Sequence, residues 1–178
     1  VLGTGDIGTE FARRAQSFHP ACINGVRRTV KPSDPAFTAI HAIAELDSVL
    51  PETDILVMAL PSTAETVGIL SRERIALLPD SAFVVNVGRG TAIDQEALCD
   101  ALNAGRLAGA ALDVVVPEPL PADHPLRRAK NLLLTPHVAG NMTLGYTCDK
   151  SVQMFCDDLE NYAAGRPLAH LVDRKRGY

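Results

Sequence analysis

Short apolar runs alternate along the chain with segments whose apolar positions recur at helical spacing. Asp54-Ile55-Leu56-Val57-Met58-Ala59-Leu60 is a continuous run stopped by Pro61, the pattern of a strand buried on both faces. Ala82 to Val87, Ala108 to Val114 and Asn131 to Leu134 repeat it, and Cys22-Ile23 with Val26 suggests a shorter strand. Between them lie helix candidates. The first carries Phe11, Ala12 and Ala15 on one face; the others run from His41 to Leu50, Arg72 to Leu78, Asp94 to Asn103 and Met142 to Ala164. Gly105 and Gly165 stand where C-terminal helix caps belong. Buried strands alternating with helices make βαβ units, so the pattern predicts an α/β fold, a doubly wound parallel sheet with helices on both faces.

Composition narrows the function classes without choosing among them. The 178 residues are one domain's worth of chain, and a 47% apolar share supplies a core and excludes disorder. Lys and Arg number 17 against 21 Asp and Glu, so no bulk positive charge invites nucleic acid. No apolar run approaches the ~20 residues that span a bilayer, so no membrane role is expected. Cys22, Cys99, Cys148 and Cys156 form no CxxC and no Cys/His cluster at zinc spacing, so no metal is expected. They read as scattered small apolar residues in a reducing compartment. With no secretory signal visible, the cytoplasm is the default.

The first eight residues carry more specific chemistry. Val1-Leu2 leads into Gly3-Thr4-Gly5-Asp6-Ile7-Gly8, a GxGxxG between an apolar strand and a helix. Gly3 would make the tight turn, Gly5 would let the backbone approach a pyrophosphate, and Gly8 would let the helix pack on the strand. N–H groups near Asp6 and Ile7 would bind phosphate oxygens, with Asp6 acting as a helix N-cap. The sheet is therefore expected to be Rossmann-type. In such folds an acidic residue about 20 residues on binds the ribose 2′-hydroxyl. Here Val26, Arg27, Arg28 and Thr29 occupy that place, without a carboxylate. Two guanidiniums and a hydroxyl suit a 2′-phosphate, which favours NADP, with NAD the alternative and a solvated basic loop the plainer reading.

Ligands in such sheets bind at the carboxyl ends of the strands. Reading those ends gives Leu60-Pro61-Ser62-Thr63-Ala64-Glu65-Thr66, then Asn86-Val87-Gly88-Arg89-Gly90, Asp113 leading to Pro117-Glu118-Pro119, and Thr135-Pro136-His137. An Arg, a Glu and a His thus follow successive strands.

On these residues, together with Gly109-Ala110-Ala111-Leu112-Asp113-Val114, the chain resembles the coenzyme-binding domain of the D-isomer-specific 2-hydroxyacid dehydrogenases over essentially its whole length. The resemblance implies hydride exchange between a nicotinamide cofactor and the C2 centre of a small 2-oxo or 2-hydroxy acid, with no nucleic-acid or membrane partner. It assigns His137 as acid/base, Glu118 as its partner and Arg89 as the holder of the substrate carboxylate and carbonyl. Gly3, Gly5, Asp6, Ile7, Gly8, Arg27, Arg28, Thr29, Leu60, Pro61, Thr66, Val87, Gly88, Asp113 and Gly140 would contact the cofactor, Asp113 at the nicotinamide carboxamide. A homodimer is also implied. A cofactor-sensing or regulatory protein on the same scaffold, or an inactive fragment, is the alternative.

Two departures from the family pattern stand out. Trp commonly follows the leucine of Asp123-His124-Pro125-Leu126, and Arg127 stands in its place. Family members also carry a substrate-binding portion before the first glycine, whereas this sequence begins two residues before Gly3 without Met. Residues 1–140 are accordingly expected to be the NAD(P)-binding domain with a truncated first strand. Residues 141–178 would be the helix and tail that in the family pack back on the substrate domain, and the chain alone would turn over little.

Overall fold

The computed structural model describes residues 1–29, 34–140 and 145–174. They form two compact units, Val1–Pro136 and His137–Tyr178. The first contains six parallel strands: β1 (Asn24–Arg27), β2 (Ala39–Ala42), β3 (Ile55–Met58), β4 (Phe83–Asn86), β5 (Gly109–Leu112) and β6 (Leu132–Leu134). Its helices are α1 (Asp6–Ala15), α2 (Leu46–Val49), α3 (Arg72–Ile75) and α4 (Gln95–Asn103).

Val1–Gly3 joins the strands into one sheet. Leu2 donates to the Val57 carbonyl at 2.7 Å and accepts from Ala59 at 2.9 Å, while Gly3 donates to Val26 at 2.9 Å on the other side. The resulting order is β2, β1, Val1–Gly3, β3, β4, β5, β6. The chain starts in mid-sheet, runs outward one way through β1 and β2, then outward the other way from β3. That reversal opens a crevice beside Gly3 at the carboxyl ends.

Burial explains the layers. One face of the sheet packs Leu2, Leu56, Met58, Val84 and Leu112 against Leu46 of α2, Leu50 just after it, Ile75 of α3, and Leu98 and Leu102 of α4. Each fully buried leucine contributes about 1.5–3 kcal/mol. On the opposite face Ala12 of α1 packs with Ala36 and Phe37, against Ile23 and Ile40. The predicted parallel sheet with helices on both faces is therefore the one observed. The α1 layer does not extend along the sheet, and Ile55, Phe83 and Leu133 stay 58%, 48% and 62% exposed.

Three local expectations change. A helix from His41 is replaced by strand β2 up to Ala42, because Asn24–Arg27 pairs with Ala39–Ala42 in parallel register. Helical turns begin only at Ile43, with Glu45 accepting from the Ala42 N–H at 2.7 Å. The Arg72 to Leu78 helix ends at Ile75, ahead of Pro79. Asp6 is not the N-cap of α1: Gly5 is, without a side-chain cap bond, and Asp6 sits in the first turn.

The second unit consists mainly of α5 (Gly145–Ala163), none of whose residues is buried. The Met142 start expected for it lies outside the described residues. Asp158 ties the following segment to this helix, accepting from the Ala169 and His170 N–H groups at 2.7 and 3.1 Å. Those two donors, Ala169 first, hold its carboxyl below the usual carboxylate range.

Candidate active site

The three glycines of the turn stand in different surroundings. Gly3 has φ +99°, and a Cβ there would lie 2.7 Å from the Ala59 carbonyl oxygen. A Cβ on Gly8 would fall 1.9 Å from the Gly3 oxygen, so α1 can approach the turn only without one. Gly5 differs: its Cβ would meet no protein atom within 4 Å. The protein therefore leaves open space where a pyrophosphate would lie, at the start of a helix whose first N–H groups lack intrahelical acceptors. The turn fits a dinucleotide.

Arg27 ends β1, and Arg28 and Thr29 follow it at the same end of the sheet, Arg27 partly buried and the other two exposed. Across the glycine turn, Leu60 is buried and Pro61 half-buried after β3. The Thr66 hydroxyl donates to the Pro61 carbonyl at 2.7 Å and accepts from the Thr63 N–H at 2.8 Å. Thr66 is 7% exposed, and its hydroxyl fixes the shape of the Pro61 loop. In that loop Glu65 has its pKa lowered, first by a hydrogen bond from Thr63, then by its own backbone and by the charge of Arg28.

After β4 the chain is held from inside. Asn86 is fully buried, accepts from the Gly88 N–H at 3.0 Å and donates to the Arg89 carbonyl at 2.9 Å. Val87 donates to Met58 at 3.1 Å. A Cβ on Gly88 would lie 2.7 Å from the backbone N and O of Leu60, and one on Gly90 would lie 2.4 Å from the Val115 carbonyl carbon. This wedged turn presents Arg89, whose exposed guanidinium donates to the Gly88 carbonyl at 2.7 Å.

After β5 the backbone of Asp113 donates to Asn86 at 3.0 Å, while its carboxylate, 6% exposed, accepts from the Thr135 hydroxyl at 2.5 Å. Glu118 accepts from the Val115 N–H at 2.9 Å. Gln95, which sequence reasoning missed, spans the Val116 backbone, accepting from its N–H at 2.8 Å and donating to its carbonyl at 2.6 Å. In place of the family's common Trp, Arg127 donates to the carbonyls of Pro121 at 2.8 Å and Leu120 at 2.5 Å, so hydrogen bonds fasten this loop. His124 Nδ1 accepts from the Leu126 N–H at 3.3 Å, which occupies that imidazole in a cap.

His137 and Gly140 belong to the second unit. His137 is exposed and left-handed at φ 54°, a backbone state that non-glycine residues seldom adopt and that collects at functional sites. Gly140 is exposed, with open space at its Cβ position. Among the described residues no cluster of His, Cys, Asp and Glu could hold a metal ion, and no helix is long and apolar enough to cross a membrane.

Residues 1–139 match the model for the D-isomer specific 2-hydroxyacid dehydrogenase NAD binding domain. Glyoxylate/hydroxypyruvate reductase B of Pectobacterium carotovorum is 40% identical over 78% of this chain and 43% of its own length. Glyoxylate/hydroxypyruvate reductase A of Klebsiella pneumoniae is 35% identical over 100% of this chain and 55% of its own. The chain thus spans about half the length of these curated relatives. A D-isomer specific 2-hydroxyacid dehydrogenase from Xanthobacter autotrophicus, solved with NADPH and MES, superposes with a TM-score of 0.86 at 36% identity, over 99% of this chain and 71% of that one. An NADPH-dependent glyoxylate/hydroxypyruvate reductase from Sinorhizobium meliloti, solved with NADP and sulfate, gives 0.85 at 29% identity over 99% and 55%.

Proposed function

This chain belongs to the D-isomer specific 2-hydroxyacid dehydrogenase family, and on that premise we propose that it serves an NADP-preferring reduction of a small 2-oxo acid to a D-2-hydroxy acid, and the reverse. The observation that carries the reading is the wedged turn after β4, which displays Arg89 one strand away from the loop that holds Glu118, in a chain whose next strand leads to His137.

The reduced nicotinamide, when bound, supplies the hydride. The remaining demands fall on side chains. His137, as imidazolium, gives its proton to the carbonyl oxygen and recovers it in the reverse direction. Glu118 serves as the partner that orients the ring. Arg89 grips the substrate carboxylate through a planar fork and polarises the carbonyl, as a lysine could not. Asp113, fixed by Thr135, accepts from the nicotinamide carboxamide, while Leu60, Pro61, Val87, Gly88 and Gly140 line the cofactor's path. Asp6 and Ile7 offer their N–H groups to the pyrophosphate, and Arg27, Arg28 and Thr29 bind a 2′-phosphate. The NADPH and NADP in the Xanthobacter and Sinorhizobium structures support that preference. The family also implies a homodimer, to be checked by light scattering.

The direct test is NADPH oxidation by the full-length protein with glyoxylate, hydroxypyruvate and other 2-oxo acids, followed by chiral analysis of the product. Tight NADPH binding without oxidation by any acid of the panel would point to a cofactor-sensing protein instead.

A further inference from the structure

Gln95 is the first residue of α4, a helix anchored by its own core. Asp94 caps it by accepting from the Ala97 N–H at 2.9 Å, and Ala97, Leu98 and Leu102 are buried beneath it. From this fixed base the Gln95 carboxamide reaches a residue 21 positions away and makes both hydrogen bonds that a neighbouring strand would make to Val116, at 2.8 and 2.6 Å. Val116 itself is 44% exposed. The two hydrogen bonds fix the position of this backbone relative to α4.

The clamped segment touches both site loops of this unit. The Val115 N–H donates to Glu118 at 2.9 Å. The backbone of Val115 also lies where a Cβ on Gly90 would be, 2.4 Å from its carbonyl carbon, so the turn carrying Arg89 rests against it. The Val115–Val116 backbone is a shared seat for the Arg89 turn and the Glu118 carboxylate, and Gln95 holds Val116 at both its N–H and its carbonyl.

We infer that Gln95 is a positioning residue for the reaction, holding Val115–Val116 so that Glu118 stays aligned. The inference rests on the role proposed for Glu118 above. Gln95→Leu keeps the approximate shape and removes both hydrogen bonds. In the full-length protein it lowers kcat for 2-oxo acid reduction about tenfold, since small misplacements of catalytic groups are costly, and leaves the NADPH dissociation constant within about twofold. Combined with Glu118→Gln it adds almost nothing further, because both changes break one link. Gln95→Glu, which accepts from the Val116 N–H but when ionised cannot donate to its carbonyl, falls between the two. Independently of turnover, hydrogen exchange at the Val115 amide accelerates about tenfold or more in Gln95→Leu, while the Leu98 amide inside α4 keeps its protection.

Unchanged exchange at Val115 overturns the clamp. Faster exchange with full additivity of Gln95→Leu and Glu118→Gln overturns the link to catalysis. If the unaltered protein reduces none of the 2-oxo acids, the proposed function fails on its own, and the Val115 exchange then decides the clamp alone.

Discussion

At the Gly3–Gly8 turn the groups offered to a dinucleotide are backbone amides and the exposed or half-exposed side chains of Arg27, Arg28 and Thr29, around a glycine with open space beside it. Between β4 and β5 the arrangement is reversed. There the site rests on side chains turned inward: Asn86 bonded to the backbone of Gly88 and Arg89, Asp113 to Thr135, and Gln95 to Val116. Both regions belong to one sheet and one edge. Under the proposed function, the first would discriminate between ligands by what it leaves room for and by charge, and the second would hold a reacting geometry with its loops fastened from beneath. Changes in the first should act on cofactor affinity and choice, and changes in the second on turnover and stability.

The largest effect expected on the reaction side comes from His137→Ala, which should cut turnover by about 10²–10⁴-fold while leaving NADPH affinity nearly unchanged, as steady-state kinetics and fluorescence titration would show. Near-normal turnover would remove His137 from its role. Asn86→Ala should come next. It removes a fully buried amide and strands the Gly88 N–H and the Arg89 carbonyl, costing about 2–4 kcal/mol of stability by denaturant unfolding and raising the substrate KM. An unfolding midpoint equal to that of the parent would show that the turn after β4 is not held from beneath.

On the dinucleotide side, Arg27→Ala/Arg28→Ala should weaken NADPH binding about 10–100-fold, the loss of one or two charge-assisted hydrogen bonds, and leave NADH within about twofold. Equal losses for both cofactors would turn these arginines into a solvated loop. The smallest effect sharpens the comparison most. Gly5→Ala should fold with a stability loss of no more than about 1 kcal/mol, since the new methyl meets no protein atom, yet weaken either cofactor by about tenfold. Gly8→Ala, whose methyl would overlap the Gly3 carbonyl, should fail in folding instead.

The sequence was most legible where burial writes a pattern. The runs at Asp54–Leu60, Ala82–Val87 and Ala108–Val114 contain β3, β4 and β5, because central strands of a parallel sheet read as continuous apolar runs, although Ile55 and Phe83 are left exposed. β2 was not legible: Ala39-Ile40-His41-Ala42 has neither alternation nor a β-branched run, and it is extended only because β1 lies beside it. Asp6 reads as a cap by residue type, yet Gly5 takes that position because the turn at Gly3 sets where α1 begins. The site divides in the same way. Strand ends pointed to Arg89, Asp113 and Glu118 by position, but what holds them was invisible. Asn86 reads as the end of a strand and Gln95 as an ordinary helix residue; the partner of Gln95 is 21 residues distant and leaves no periodic trace.

Under the proposed function, the fastened loops serve hydride transfer to a 2-oxo acid with NADPH as donor. The loss of NADPH absorbance when the full-length protein meets glyoxylate or hydroxypyruvate tests it most directly. Rapid oxidation is expected, much slower with NADH and nearly abolished in His137→Ala; NADPH that binds tightly and is oxidised with no 2-oxo acid would rule out hydride transfer to such acids.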